Sequence, residues 1–234
     1  MEKNSNIIYR NYKKWTLFNK SDGDRQTYSD MPFSPNNIYH VYNQGNNRQT
    51  IFYTRKDYIT FLTLYKRLFS ANCSTIAWCL MPNHFHFMIY TDERCDTKIK
   101  QGGIYLDPVT NSIRKLLSGY ARIFNNQYQQ TGSLFRQKTK GKCLSAIEIK
   151  PRSSYLIQDY YVNCFHYIHQ NPLISKLTHR LEDWEFSSFK DYAGFREGTL
   201  CQKELAVLHC GYNAENFVEK SYVLVDKKLV NLFT

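Results

Sequence analysis

Two pairs of side chains in this sequence have the types and spacing to do chemistry together: His84 with His86, and Tyr167 with Asn171. The histidines lie in the run Met81-Pro82-Asn83-His84-Phe85-His86-Phe87-Met88-Ile89-Tyr90, where polar or sulfur-bearing side chains alternate with apolar ones. On a strand that alternation puts both imidazoles on one face and Phe85, Phe87 and Ile89 on the other, anchoring the strand in a core. Two imidazoles on one face make a two-ligand metal site. A bare His-x-His pair is more often an ordinary strand-face feature, so its meaning rests on the rest of the chain.

Tyr167 and Asn171 stand four apart in Phe165-His166-Tyr167-Ile168-His169-Gln170-Asn171-Pro172 and share a helix face. A carboxamide oxygen beside two imidazoles gives a three-ligand site with open positions, suited to a divalent cation that must also accept a phosphate oxygen. A tyrosine one turn away could attack that phosphate once its phenol, with a free pKa of about 10, loses its proton. Tyr160, seven residues earlier on the same face, is the second candidate nucleophile, while Tyr161 points elsewhere. His166 lies about 100° and His169 about 160° around the helix from Tyr167, and both are weak candidates as ligands. In a chain with 19 tyrosines, a tyrosine near a helix end is ordinarily core packing, and only both motifs together favour chemistry. A metallo-hydrolase using His84, His86 and a cysteine or carboxylate is a further reading.

The elements that must position these residues can be read from pattern. Ile38-Tyr39-His40-Val41-Tyr42 is rich in strand formers and ends at Gly45-Asn46-Asn47. Thr54 and Asp57 form a capping pattern, followed by Tyr58, Phe61, Leu62, Tyr65, Leu68 and Phe69 at helical spacing, which predicts a helix to about Ser70. Thr75 to Leu80 reads as a strand turning at Pro82-Asn83 into the histidine strand. Gly102-Gly103 and Asp107-Pro108 mark a polar loop. From Ser112, Ile113, Leu116, Leu117, Tyr120, Ile123 and Phe124 fall on one helix face, with Arg114, Lys115 and Arg122 largely off it. Cys143 to Ile147 is a fourth strand, and a helix spans about Ser154 to Gln170.

Strand, helix, strand, strand, helix, strand is the order of an α+β ferredoxin-like sandwich: a central antiparallel sheet with helices on one face and an open face for a ligand, the histidine strand near its middle. Residues 1–36 read as an N-terminal extension, 37–195 as the domain and 196–234 as a C-terminal extension of unclear role.

The formal net charge of +11 is concentrated. Between Ser112 and Arg152 stand Arg114, Lys115, Arg122, Arg136, Lys138, Lys140, Lys142, Lys150 and Arg152 against the single acid Glu148, with Tyr120, Phe124, Tyr128 and Phe135 interleaved. Basic side chains among rings suit a nucleic acid with accessible bases, the bland reading being a solvated basic face. The seven cysteines include no Cys-x-x-Cys pair, and no stretch reaches the roughly 18 apolar residues of a membrane span, so a reducing, cytoplasmic setting is expected.

Together the motifs resemble a known family. Ile38-Tyr39-His40-Val41-Tyr42-Asn43-Gln44-Gly45-Asn46-Asn47-Arg48, Trp78-Cys79-Leu80-Met81-Pro82-Asn83-His84-Phe85-His86, Thr131-Gly132-Ser133-Leu134-Phe135 and Tyr167-Ile168-His169-Gln170-Asn171-Pro172 look like the single-tyrosine HUH transposases of the insertion-sequence type. Asp183-Trp184-Glu185-Phe186-Ser187-Ser188-Phe189 is similar to their REP-associated tyrosine transposase branch. The resemblance covers about residues 37–195. It implies a ferredoxin-like fold, a Mg²⁺ or Mn²⁺ ion, and cleavage of single-stranded DNA beside a hairpin through a 5′-phosphotyrosine. His84 and His86 match its metal pair, Tyr167 its nucleophile and Asn171 its polar ligand. Gln44 stands where the family commonly has Arg, and Ser133 where it often has His, which puts those DNA contacts in doubt. Both monomers and homodimers that exchange the tyrosine helix fit the resemblance. The competing expectation is a non-catalytic nucleic-acid-binding protein that keeps the fold and the basic surface.

Overall fold

A computed structural model describes residues 33–145 and 155–233. The chain enters as β1 (Asn37–Gln44), followed by helix α1 (Arg55–Phe69), β2 (Ser74–Met81) and β3 (His84–Thr91). A two-stranded hairpin, β4 (Ile99–Gln101) with β5 (Ile104–Leu106), then leads to helix α2 (Pro108–Tyr128) and the short strand β6 (Lys140–Cys143). Helix α3 (Tyr155–Ile174) is followed by the smaller helices α4 (Phe189–Tyr192), α5 (Lys203–Cys210), α6 (Phe217–Tyr222) and α7 (Lys227–Phe233).

β2, β3, β1 and β6 form one antiparallel sheet in that order, which is the ferredoxin-like arrangement expected, with β3 an inner strand. Local signals explain most of its elements. Asp57 Oδ2 accepts from Thr54 N at 2.8 Å and Tyr53 N at 3.0 Å, which starts α1. α2 begins four residues before the expected Ser112, because Asp107 accepts from Thr110 N at 2.8 Å and Pro108 supplies a first-turn φ without a wasted donor. Gly102 and Gly103, expected in a loop, instead take φ values of 58° and 84° and close the β4–β5 hairpin.

Two expectations shift. β6 is centred earlier than Cys143–Ile147: Lys140 to Cys143 pair with β1, and Leu144 N donates to Ile38 O at 2.8 Å; residues 146–147 lie outside the described residues. A short, lysine-bearing edge strand suits a position with one unpaired side. α3 does not stop at Gln170 but runs through Pro172 to Ile174. Pro172 falls in the last turn, where it removes one backbone donor without ending the helix, and Leu173 beyond it packs on the core.

The larger difference is that neither sheet face is open. Between the sheet and the α1–α2 layer, Phe61, Tyr65, Phe85, Phe87, Tyr120 and Phe124 are buried together. On the other face α3 lies across β2 and β3, burying Ile76, Met88, Cys164, Phe165 and Ile168. The segment expected as an appendage beyond residue 195 closes over α3: Phe217 packs within 5.8 Å of Phe165, and Gln170 Nε2 donates to Ser221 O at 2.9 Å and Val223 O at 2.7 Å. Among the described residues no helix is long and apolar enough to cross a membrane.

Candidate functional site

The β2–β3 turn fixes where the histidines begin. Met81 pairs with His84 across Pro82-Asn83, and the outgoing end of β1 clamps that turn: Gly45 N donates to Asn83 O at 2.8 Å and Ile51 N to Pro82 O at 2.8 Å. Position 45 must be glycine, since a Cβ there would stand 2.2 Å from Gln49 O. From this anchor the alternation of β3 sends Phe85, Phe87 and Ile89 into the aromatic layer and His84, His86 and Met88 toward α3.

Register then decides the neighbours. Tyr42 on β1 and Cys79 on β2 stand opposite His86, while Gln44 and Met81 stand opposite His84. Directly opposed residues share a sheet face. His84 and His86 rings lie 5.0 Å apart at right angles. The Tyr167 ring comes down from α3 to 5.7 Å from His86, edge-on. One turn further, Asn171 Nδ2 donates to Tyr167 O at 2.9 Å, and its carboxamide is close enough to raise the pKa of His84 and lower that of Tyr167. Tyr167, His84, His86 and Asn171 thus converge.

The protonation states follow from burial. His86 is 4% exposed, and desolvation, followed by the neighbouring His40 and His84 rings, holds its pKa well below the usual histidine value. Burial also lowers His84, opposed by the Asn171 carboxamide. Both imidazoles are therefore neutral at pH 7, the form that can donate a lone pair. Tyr167 is pushed up to about 12, chiefly by burial, with Asn171 pulling the other way. Its phenol is intact at neutral pH.

The donor set fits a divalent cation. Asn83 Oδ1 accepts from His84 Nδ1 at 2.6 Å, leaving the other ring nitrogen of His84 for the site. His86 Nδ1 is taken by His40 Nε2 at 2.9 Å, while His86 Nε2 is buried without a hydrogen-bond partner. A buried lone pair with no partner is costly until something binds it. Beside the two imidazoles, a candidate third donor is the Asn171 carboxamide, one turn beyond Tyr167. Cys79, the sulfur opposite His86, has a thiol raised by complete burial and is a poor thiolate.

The remaining candidates divide by face. Tyr160 is buried in the layer beneath α3. Tyr161 donates to Ser145 Oγ at 3.0 Å, away from the histidines. His166 and His169 turn from the site toward the C-terminal helices and α4, bonding Ser221 Oγ at 3.0 Å and Ser188 Oγ at 2.7 Å. Lys140 and Lys142 pair with Tyr42 and His40, which puts both lysines on the site's face of the sheet. Arg136 and Lys138 are exposed on the approach to β6, where Arg136 N donates to Gln44 O at 3.0 Å at the His84 end. Arg114, Lys115 and Arg122 are exposed on α2, behind the opposite face, because α2 buries Ile113, Leu116, Tyr120 and Phe124 against the aromatic layer. The structure separates those three from the histidines. Lys150 and Arg152 lie outside the described residues.

Two residues of the site escape a linear reading. His40, 0% exposed, and the half-buried Tyr42 stack on each other at 4.8 Å and on His86 at 5.0 and 5.8 Å. Their signal is the alternation of β1, which becomes informative only once β1 is paired with β3.

No family model and no curated protein matches the chain. Among solved structures, it is similar to a REP-associated tyrosine transposase bound to a REP hairpin, with a TM-score of 0.46 and 16% sequence identity, over 75% of this chain and 93% of that one.

Proposed function

We propose that the protein is a metal-dependent endonuclease and strand transferase acting on single-stranded DNA next to hairpins, with Tyr167 as the nucleophile. The observation that carries this reading is the convergence of the candidate ligands on the candidate nucleophile: the His86 ring lies 5.0 Å from His84 and 5.7 Å from Tyr167, and Asn171 Nδ2 donates to Tyr167 O at 2.9 Å. His84, His86 and Asn171 would hold the cation, Mg²⁺ or Mn²⁺. When bound, it would draw negative charge off the scissile phosphate.

The protein's own groups do the rest. The Tyr167 oxygen attacks phosphorus, an O–P bond to the tyrosine forms and the P–O3′ bond breaks. The phenolic proton is lost and the departing 3′ oxygen takes one up, leaving a free 3′-hydroxyl and a 5′-phosphotyrosine. A second 3′-hydroxyl reverses the exchange and joins a new strand, and no nucleotide cofactor is needed because the phosphotyrosine conserves the bond energy. Burial keeps the phenol neutral at pH 7, and Asn171, one turn away, favours its ionised form. Lys140 and Lys142, beside Tyr42 and His40, would neutralise the backbone entering the site.

The test incubates the full chain with Mn²⁺ and a pool of hairpin-bearing single-stranded oligonucleotides with randomised flanks, and looks for a denaturant-stable protein–DNA adduct. Wild type should form it and Tyr167→Phe should not. An undiminished adduct with Tyr167→Phe would remove Tyr167 from the chemistry. Hairpin binding without any adduct, unaltered by His84→Ala, would make the protein a non-catalytic binder.

A further inference from the structure

A histidine with no solvent exposure is an expensive way to fill a strand position that Leu or Val would fill at no polar cost. His40 is such a residue: it sits on β1 beneath α3, with its ring stacked on Tyr42 and His86 and the edge of Tyr167 6.2 Å away. Its Nε2 meets His86 Nδ1 at 2.9 Å, in a bond that either nitrogen could donate. The other nitrogen of His86, Nε2, is buried with no partner at all.

Both directions leave His86 Nε2 without a partner in the protein, and they differ in what could satisfy it. If His40 donated, His86 would carry its own hydrogen on Nε2, a buried donor with nothing to bond. If His40 accepts, His86 holds its hydrogen on Nδ1 and turns a bare Nε2 lone pair toward the site. His84 offers the parallel within the same strand, since its Nδ1 is occupied by Asn83 Oδ1 at 2.6 Å. Metal-binding histidines characteristically donate their second ring nitrogen to an acceptor that fixes tautomer and orientation.

We infer that His40 is a positioning residue that accepts from His86 Nδ1, fixing His86 in the tautomer whose Nε2 lone pair serves a divalent cation. The inference rests on the metal-dependent reading of the site. His40 acts through His86, with no substrate contact of its own, and the two strands that carry the pair are locked side by side by the β1–β3 ladder. Asn83 fixes His84 from the turn, and His40 fixes His86 from the neighbouring strand.

Two measurements on the full chain test it. Ring ¹⁵N NMR of the metal-free protein reads the His86 tautomer directly: wild type should carry hydrogen on Nδ1, and finding it on Nε2 would overturn the inference. Mn²⁺ titration followed by EPR then compares His40→Phe, which keeps a flat ring but no acceptor, with His40→Gln, whose amide oxygen can replace Nε2. His40→Phe should bind roughly 10- to 100-fold more weakly. His40→Gln should restore affinity to within about threefold, as it restores the accepting atom. Equal affinity in wild type and His40→Phe would refute the positioning role, and a loss in His40→Gln as large as in His40→Phe would reduce His40 to packing. Should wild type bind no Mn²⁺, the function proposed above fails, while the NMR result still decides which way the bond runs. If His40→Phe does not fold, the wild-type spectrum and His40→Gln remain decisive.

Discussion

On β3, Phe85, Phe87 and Ile89 point into one layer of the molecule and His84, His86 and Met88 into the other. The aromatic layer is assembled for burial: Phe87 stacks on Tyr65 at 3.8 Å with planes 5° apart, and Phe61 lies edge-on to Tyr120 at 5.1 Å. The α3 layer takes in apolar side chains too, but at its centre it shelters three imidazoles, two phenols and a carboxamide, one of whose ring nitrogens has no partner. One strand can thus hold the fold with one set of alternate residues and bury on its other face polar groups whose burial is costly. An apolar half that holds the fold is what permits a polar half whose burial is costly.

The sharpest way to break that division is to truncate one residue from each side. Phe87→Ala removes a fully buried ring from the aromatic layer and should cost about 3–5 kcal/mol in chemical denaturation, while whatever protein remains folded keeps the proposed Mn²⁺ binding. His84→Ala, at a half-buried position, should change stability by only about 1 kcal/mol and yet abolish Mn²⁺-dependent adduct formation. Were the two variants to lose stability equally, the polar layer would be as much a structural core as the aromatic one.

Much of this division is legible in the sequence. The alternation Phe85, Phe87, Ile89 against His84, His86 gives both faces of β3 before any partner is known, and the four-residue spacing puts Tyr167 and Asn171 on one side of a helix. What cannot be read is whatever depends on register. His40 is a lone histidine in a strand until β1 is seen to run beside β3, and the position of Lys140 and Lys142 on the site's face follows only from their pairing with Tyr42 and His40. The basic side of α2 is visible as a helix face, but which sheet surface that helix covers is settled by packing, and it covers the aromatic one. The helices beyond residue 195 are too short for their periodicity to show, α5 spanning 8 residues and α6 spanning 6, and they are held by contacts with α3 rather than by their own pattern.

Acid should also separate the two layers. His86 and His169 are held well below the ordinary histidine pKa by burial, and His166 is lowered to about 4 by burial and by Lys220. Each binds a proton more readily unfolded than folded. Stability is therefore full above the unfolded value of about 6.5 and falls as pH drops toward the folded value, by about 1.4 kcal/mol per pH unit for each such histidine. All three belong to the α3 layer. Hydrogen exchange at pH 7 and pH 5, corrected for intrinsic rates, should show protection lost from α3 more than from α1, and an equal loss in both helices would mean that the two layers open as one unit.

The smallest expected effect concerns charge, and it tests whether the two faces differ toward DNA as they do in their packing. Lys140 and Lys142 stand on the site's face, whereas Lys115 and Arg122 stand on the solvent side of α2, with the aromatic layer and the sheet between them and Tyr167. A strand bound at Tyr167 would lie on the face that carries Lys140 and Lys142 and has no need to touch α2. Each phosphate contact contributes about one unit to the slope of log K against log salt concentration. Lys140→Gln and Lys142→Gln should thus each lower that slope by about 1 for a hairpin oligonucleotide and weaken adduct formation at limiting DNA. Lys115→Gln and Arg122→Gln should leave both unchanged. A slope that fell as far with Arg122→Gln as with Lys140→Gln would show that the bound nucleic acid wraps onto the second face, and the aromatic half of the molecule would then take part in recognition as well as in holding the fold.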